Sequence, residues 1–228
     1  LLGLSFFYLF RREVQWAGAL LAAHLLVAVL VLQIFDQGAE WAASMEDLLY
    51  KDKVVYRMNT ERQRLVVTER TTHPAKPTRL SFYLNGRIQF ASNDEQIYHS
   101  MLTYPAMAAS ARHQRVLIIG GGDGLALRDV LRWGPTEVML LELDERLVEL
   151  FKTPLEGEAG RISRRLLEAN QYAFSDPRVT TRFGDAFLSV DTLLQQEQRF
   201  DTIIVDLPDP SHPDLNKLYS ARFYAKLG

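Results

Sequence analysis

Cysteine is absent from all 228 residues. Disulfides, thiolate catalysis and cysteine-ligated metals are therefore excluded. Histidine is sparse, at 5 residues, and no two are spaced as H-x-x-x-H, so the usual helical zinc pair is missing and no metal site is expected. There is no basic block and no basic-aromatic interleaving, and the formal net charge is -2, which argues against a nucleic-acid partner. What is present is an ordinary apolar fraction, 47%, on a chain long enough for one sizeable core or two small ones. The first residue is Leu, inside an apolar run, and residues 220–228 read as the middle of a helix. The expectation is a fragment of a longer protein.

Residues 1–10 are apolar and aromatic and read as the tail of a membrane helix, interrupted by Arg11-Arg12-Glu13. Residues 16–35 then run for about 20 positions without a formal charge, long enough to span a bilayer. Trp16 and Phe35 sit at the ends, where aromatic residues anchor. His24 is the one polar interruption, read as facing neighbouring helices rather than as functional. A signal peptide or a buried core helix has similar composition, but the preceding apolar run and the uncharged length favour a span. Arg11 and Arg12 argue for a cytoplasmic 11–15 loop; Lys51, Lys53 and Arg57 argue the reverse. The expectation is a multi-pass protein of the cell membrane with its following domain in the cytoplasm.

A polar, helical connector is expected over 36–52. Strand-like segments follow at 53–58, 64–69 and 79–84. Asn85-Gly86 is a type I′ hairpin signal, and 87–90 returns as the partner strand. Residues 53–92 thus form a small antiparallel hairpin module. Asp94 suits an N-cap for a helix over 95–111, with Ile97, Met101, Leu102 and Met107 as its apolar face. Residues 93–228 form the main domain.

That domain is organised around Arg115-Val-Leu-Ile-Ile-Gly-Gly-Gly-Asp-Gly124. A buried strand over 116–119 runs into a glycine turn, then into an amphipathic helix over 125–133. Strand, glycine turn and helix open a nucleotide-binding α/β unit. Glycines let the backbone turn sharply and let a ligand approach the main chain. A second strand over 137–141 ends in Glu142-Leu-Asp144. Residues 145–172 are helical, with 161–165 as a solvated face. A third strand, 178–183, ends in Gly184-Asp185-Ala186, and a helix covers 188–196. A fourth strand, 200–205, ends in Asp206-Leu-Pro-Asp209. The fold class is α/β: a class I methyltransferase-like (Rossmann-like) parallel sheet, incomplete at its C-terminus, behind a hairpin module and an N-terminal transmembrane helix.

Asp123, Glu142, Asp185 and Asp206/Asp209 then converge on one crevice, because ligands bind at the carboxyl edge of an open parallel sheet. Each acid has a plainer role open to it. Asp123 and Asp185 can cap the helices after them, and Asp206 and Asp209 can form turns around Pro208 and Pro210. Four acids at four successive strand ends nevertheless exceed what capping requires. The Gly120-x-Gly122-x-Gly124 spacing is closer to an S-adenosylmethionine turn than to G-x-G-x-x-G. A carboxylate inside the turn suits a ligand with an amine rather than a phosphate. Glu142, about 20 residues past the turn, is placed for ribose hydroxyls, and Asp185 for an adenine amino group. Two carboxylates at 206 and 209 suit a cationic amine that must lose a proton before it can act as a nucleophile.

The chain resembles the spermidine synthase (polyamine aminopropyltransferase) family. The matching stretches are Arg62-Gln-Arg-Leu-Val-Val67, Leu84-Asn-Gly-Arg-Ile-Gln-Phe90, Asp94-Glu-Gln-Ile-Tyr-His-Ser-Met101, residues 116–124, Glu142-Leu-Asp144, Asp176-Pro-Arg-Val179, Gly184-Asp-Ala186, and Asp206-Leu-Pro-Asp-Pro210 with Pro213 and Leu218-Tyr219. The match covers roughly residues 50–228 in order, which is far more specific than a lone glycine motif. The span before it resembles the multi-pass bacterial branch. The resemblance implies aminopropyl transfer from decarboxylated S-adenosylmethionine, a co-substrate rather than a resident cofactor, to putrescine or a related diamine, giving spermidine and methylthioadenosine. It implies Asp206 as proton acceptor. Asp123 and Asp209 would hold amine groups, and Tyr98 and His99 would line the polyamine channel. Gln63, Gly120, Gly122, Glu142, Asp185, Ala186 and Pro213 would contact the thioadenosine. A homo-oligomer is implied too. The sequence departs from the family at Arg62, Leu207, Pro208 and Ala186, and Lys217 and Arg222 are unexpected near an acidic site, read as facing solvent. Two other functions stay open: an S-adenosylmethionine-dependent N-methyltransferase of a small amine, and a membrane-tethered polyamine-binding protein without turnover.

Overall fold

The computed structural model describes residues 5, 8, 16–71, 73, 75, 77–210 and 213–228. The chain divides into two compact units, residues 1–51 and 52–228.

The first unit carries one long helix, α1 (Ala17–Asp47). Its segment Gly18–Gly38 is 21 residues with a mean hydropathy of 2.4, long and apolar enough to cross a membrane. Leu25, Leu26, Val27, Val29 and Leu30 on it are all exposed. At 1.5 Å per residue a helix of 31 residues is about 46 Å long, more than the roughly 30 Å hydrocarbon core. The expected connector is thus a continuation of the same helix as far as Asp47. His24 Nδ1 lies 2.7 Å from Leu20 O, so this ring nitrogen donates back to its own helix. The expected helix tail at 1–10 and the Arg11-Arg12-Glu13 break lie outside the described residues, apart from Ser5 and Tyr8.

The second unit holds two four-stranded sheets. Strands β1 (Lys53–Asn59), β2 (Arg64–Arg70), β3 (Arg79–Leu84) and β4 (Arg87–Ala91) form an antiparallel meander in that order. Asn85 and Gly86 carry φ of 50° and 78°, as a type I′ turn requires. Alternation along β2 and β3 sends Leu65, Val67, Leu80 and Phe82 into the main core, where Phe82 meets Phe151 edge-on with ring centroids 5.1 Å apart.

Strands β5 (Arg115–Gly120), β6 (Glu137–Glu142), β7 (Val179–Phe183) and β8 (Thr202–Asp206) form a parallel sheet in the order β7-β6-β5-β8. Period-two alternation divides β5 between two cores. Val116 and Ile118 join the core shared with the hairpin module, and Leu117 and Ile119 join a second core with Val190, Leu193, Leu218 and Phe223. The sheet is therefore covered on both faces, the setting that parallel strands need. The helices are α2 (Glu95–Ala109), α3 (Leu125–Leu131), α4 (Glu145–Lys152), α5 (Gly160–Ala169), α6 (Ala186–Gln195), α7 (Pro213–Asn216) and α8 (Ala221–Leu227).

Three sequence expectations need correcting. Asp94 stands at the N-cap position of α2 but makes no side-chain cap. The buried stripe of α2 is Glu95, His99, Thr103 and Met107, while Ile97 and Met101 are 71% and 70% exposed. An ion network turns the helix: Glu95 takes Arg128 on both carboxylate oxygens, at 2.8 and 3.0 Å, and Arg128 also bonds Asp129 at 2.9 Å. A buried Arg left unpaired is far costlier than two exposed apolar side chains. Residues 145–172 are two helices with a break between them, and Arg161 and Arg165 are not merely solvated. Both reach Glu69 at the end of β2, at 2.7 and 2.8 Å, tying α5 to the hairpin module.

Candidate active site

Strand order reverses at β5: β6 and β7 lie to one side and β8 to the other. The crevice beyond the carboxyl ends of β5 and β8 is the place such sheets bind ligands. Gly120 pairs in register with Asp206 across it. The glycine turn starts there, with φ of +83° at Gly120 and +70° at Gly121. A Cβ on Gly120 would stand 2.0 Å from Asp206 O, and one on Gly121 would stand 2.9 Å from Asp206 Oδ2. A Cβ on Gly122 would stand 2.9 Å from Glu142 Oε2. The glycines thus let two carboxylates lie directly against the turn.

At the β8 side, Tyr98 on α2 donates its hydroxyl to Asp206 Oδ1 at 3.0 Å. Burial, and after it the charge of Asp123, pushes the Asp206 carboxyl up to about 6; His99 and the Tyr98 bond pull the other way. Asp123 is likewise raised by burial, against the pull of His99. Its Oδ1 accepts from Leu125 N at 2.9 Å, so Asp123 does cap the turn. His99 is buried on α2, its Nδ1 2.7 Å from Glu95 O and 3.3 Å from Glu95 Oε2. Burial works against its charged form, but Glu95, Asp123 and Asp206 outweigh that and raise its pKa. A cation held among these acids is what the electrostatics favour. Asp209 is exposed in the loop after β8.

At the β6 side, Glu142 Oε1 accepts from Leu143 N at 2.7 Å and Asp144 N at 3.1 Å. Burial pushes its carboxyl up to about 7 against those two bonds. Gln63, from the hairpin module, donates Nε2 to Asp144 Oδ2 at 2.9 Å, beside Thr60 Oγ1 at 2.7 Å. Gly184 N donates to Glu142 O at 2.9 Å, which brings the β7 end alongside. There Asp185 Oδ1 caps Phe187 N at 2.8 Å, and Oδ2 is ion-paired with Lys217. Burial opposes ionisation of Asp185, and Lys217 and the cap outweigh it, lowering its pKa. Lys217 therefore reaches into the crevice instead of facing solvent alone. Ala186 opens α6 and packs on the second core. Pro213 is exposed at the start of α7.

The sequence reading left out four residues that build this site. Asp144 caps α4 through Oδ1, accepting from Arg146 N at 3.1 Å and Leu147 N at 3.3 Å, while Oδ2 holds Gln63. An acid directly before a helix was the visible signal. Glu95 and Arg128 are buried on α2 and α3, where they pair with each other at 2.8 Å. Asn170, fully buried, donates to Asp123 O at 3.0 Å and Phe151 O at 2.8 Å, pinning the turn from behind. Among the described residues no group of three or more His, Asp or Glu is arranged to hold a metal ion.

The family model for the spermine/spermidine synthase domain matches residues 95–228. Polyamine aminopropyltransferase of Shewanella oneidensis is 52% identical over 227 residues, covering 100% of this chain and 40% of that protein. Polyamine aminopropyltransferase 2 of Ralstonia nicotianae is 38% identical over 218 residues, covering 95% of this chain and 38% of that protein. The chain thus spans about two fifths of the length of these relatives. A crystal structure of spermidine synthase in complex with the transition state analogue AdoDATO superposes with a TM-score of 0.62 at 29% identity, covering 76% of this chain and 53% of that one. Spermidine synthase from Thermotoga maritima gives 0.58 at 28% identity, covering 77% of this chain and 51% of that one.

Proposed function

This chain belongs to the spermine/spermidine synthase family, and from that premise we propose that its crevice moves an aminopropyl group from decarboxylated S-adenosylmethionine to putrescine, releasing methylthioadenosine and spermidine. The observation that carries the reading is Asp206. It lies against the glycine turn with its carboxyl raised to about 6 and Tyr98 on Oδ1 at 3.0 Å. At neutral pH such a group is mostly ionised, yet closer to an amine in basicity than an ordinary carboxylate, which suits a general base. It removes the proton from the attacking ammonium. The freed nitrogen then forms the new C–N bond at the propyl carbon as the C–S bond breaks, and the electron pair of that bond neutralises the sulfonium. Asp123 and Asp209 take the amine ends of donor and acceptor. Glu142 accepts from the ribose hydroxyls, with Gln63, Gly120 and Gly122 around it, and Asp185 and Ala186 meet the base, with Pro213 near the thioadenosine. Tyr98 and His99 wall the polyamine side.

The test is methylthioadenosine release by the intact protein given decarboxylated donor and putrescine. Asp206→Asn should cut turnover by about 10²–10⁴-fold while methylthioadenosine still binds. Nucleoside binding without any release by the unaltered protein would sink the reading.

The enzyme is held at a membrane through Gly18–Gly38. The mean hydropathy of 2.4 and the exposed apolar surface of that helix support this. Retention in the pellet after an alkaline carbonate wash is expected; quantitative release into the wash would contradict it.

A further inference from the structure

The loop that carries Asp206 and Asp209 is held by a residue to which the reaction assigns no part. Lys217–Tyr219 forms a single 3₁₀ turn, fixed from three sides. Leu218 is buried, 7% exposed, in the core under the sheet. Lys217 pairs with Asp185 at the end of β7, and its carbonyl accepts from Ser220 Oγ at 2.7 Å. From this anchored turn the Tyr219 hydroxyl reaches Pro208 O at 2.7 Å and Leu207 O at 3.2 Å. Those are the carbonyls of the two residues between the acids. The phenol is close enough to both carboxylates that, after burial and Tyr224, the charges of Asp209 and Asp206 raise its pKa.

Proline at 208 removes an N–H and fixes one φ, but it leaves its own carbonyl peptide, the one leading into Asp209, free to rotate. Asp206 is fixed by its register opposite Gly120; Asp209 is exposed and outside the strand. The separation of the two acids is therefore set by the two peptides that Tyr219 holds. We propose that Tyr219 is a positioning residue that determines acceptor specificity: by tying the Leu207 and Pro208 carbonyls to the Lys217–Tyr219 turn, it fixes the distance between Asp206 and Asp209 and so the length of the diamine accepted. This rests on the aminopropyl-transfer reading, in which Asp206 serves the reacting amine and Asp209 the distal one. A diamine whose ammonium groups match that distance meets both carboxylates; one methylene more or less misses one of them.

The experiment compares the intact protein with its Tyr219→Phe variant, scoring methylthioadenosine release with diaminopropane, putrescine and cadaverine. The unaltered protein should favour one length. In Tyr219→Phe, kcat/KM for that length should fall about five- to tenfold, mostly through KM. The preference among the three should flatten, and the affinity for methylthioadenosine should stay within about twofold. A length preference that survives in Tyr219→Phe, or an equal loss in kcat for all three diamines, overturns the proposal. If the variant does not fold, Pro208→Gly carries the test, because it loosens the same peptides from the other side and should flatten the preference likewise. An unaltered protein that binds methylthioadenosine but uses none of the diamines refutes the transfer reading itself, a result visible before any variant is made.

Discussion

Tyr98 Oη donates to Asp206 Oδ1 at 3.0 Å, joining a half-exposed helix residue to a carboxylate set against the glycine turn. The bond favours the ionised carboxylate and opposes the burial that raises it to about 6. Tyr98→Phe removes the donor and leaves the burial. The Asp206 pKa should then climb, and the acidic limb of the kcat/KM profile should move from about pH 6 to higher pH. A pH–rate series with both proteins reads this directly. An unmoved limb with a uniformly lower rate would mean that Tyr98 contacts substrate without tuning the base.

Glu142 gives a stability prediction of defined sign. Its folded pKa, about 7, lies above the ordinary 4.5 because of burial, so the folded state holds the proton more tightly than the unfolded chain. Its favourable contribution is complete below pH 4.5 and is lost as pH rises through 7. Glu142→Gln keeps an oxygen for Leu143 N and Asp144 N but has no charge to bury. Without ligand the variant should melt higher than the parent at pH 8, by on the order of 2–3 kcal/mol in stability, and the two should match at pH 4. Calorimetry at the two pH values decides it. Methylthioadenosine affinity should move the opposite way, because a charged ribose acceptor is gone.

The glycine turn separates two kinds of damage. At Gly120 a Cβ would meet the backbone oxygen of Asp206 at 2.0 Å, and at Gly121 it would meet the Asp206 side chain at 2.9 Å. Backbone in a paired strand cannot withdraw, whereas a side chain can rotate. Gly120→Ala should therefore fail to fold or lose most of its stability. Gly121→Ala should fold with about 1–2 kcal/mol of left-handed strain, yet lose turnover because Asp206 is displaced. Circular dichroism melts beside turnover assays distinguish the two, and equal stability in both variants would contradict this reading.

Strand periods, the Asn85-Gly86 turn and the run from Arg115 to Gly124 made both sheets legible in the sequence, because each is a local pattern with a local cause. The acids at the strand ends were legible for the same reason: once the sheet is parallel, its carboxyl edge is a place. What stayed hidden depends on partners far along the chain. Glu95 and Arg128 are 33 positions apart, and nothing near either shows that they meet in a buried network, so the inward face of α2 was assigned to Ile97 and Met101. Lys217 and Asp185 are 32 apart, and a lysine beside an acidic crevice reads as solvated until the turn that carries it is seen to be anchored by Leu218. The reading of 161–165 as a solvated face missed that Arg161 and Arg165 pair with Glu69, because Glu69 belongs to another module.

Asp144 offers the most discriminating test of the nucleoside side, because it serves two elements through two different oxygens. Oδ1 caps α4, accepting from Arg146 N and Leu147 N; Oδ2 accepts from Gln63 Nε2 and Thr60 Oγ1. In Asp144→Asn the oxygen can remain on the helix, since Asn is as good a cap as Asp. The new amide then faces two donors where a carboxylate oxygen stood. Gln63 can relieve the clash only by turning its own amide over, which exchanges the group it offers to a ligand. Stability should change by about 1 kcal/mol or less, while methylthioadenosine affinity should fall about tenfold, or about 1.4 kcal/mol, although Asp144 is not proposed to touch the ligand. A double-mutant cycle isolates the route. In a Gln63→Ala background the Asp144→Asn change should weaken binding no further, because the side chain through which it acts is gone. Additive losses would show instead that Asp144 acts on the nucleoside through Glu142, to whose carboxylate its own backbone N–H donates at 3.1 Å.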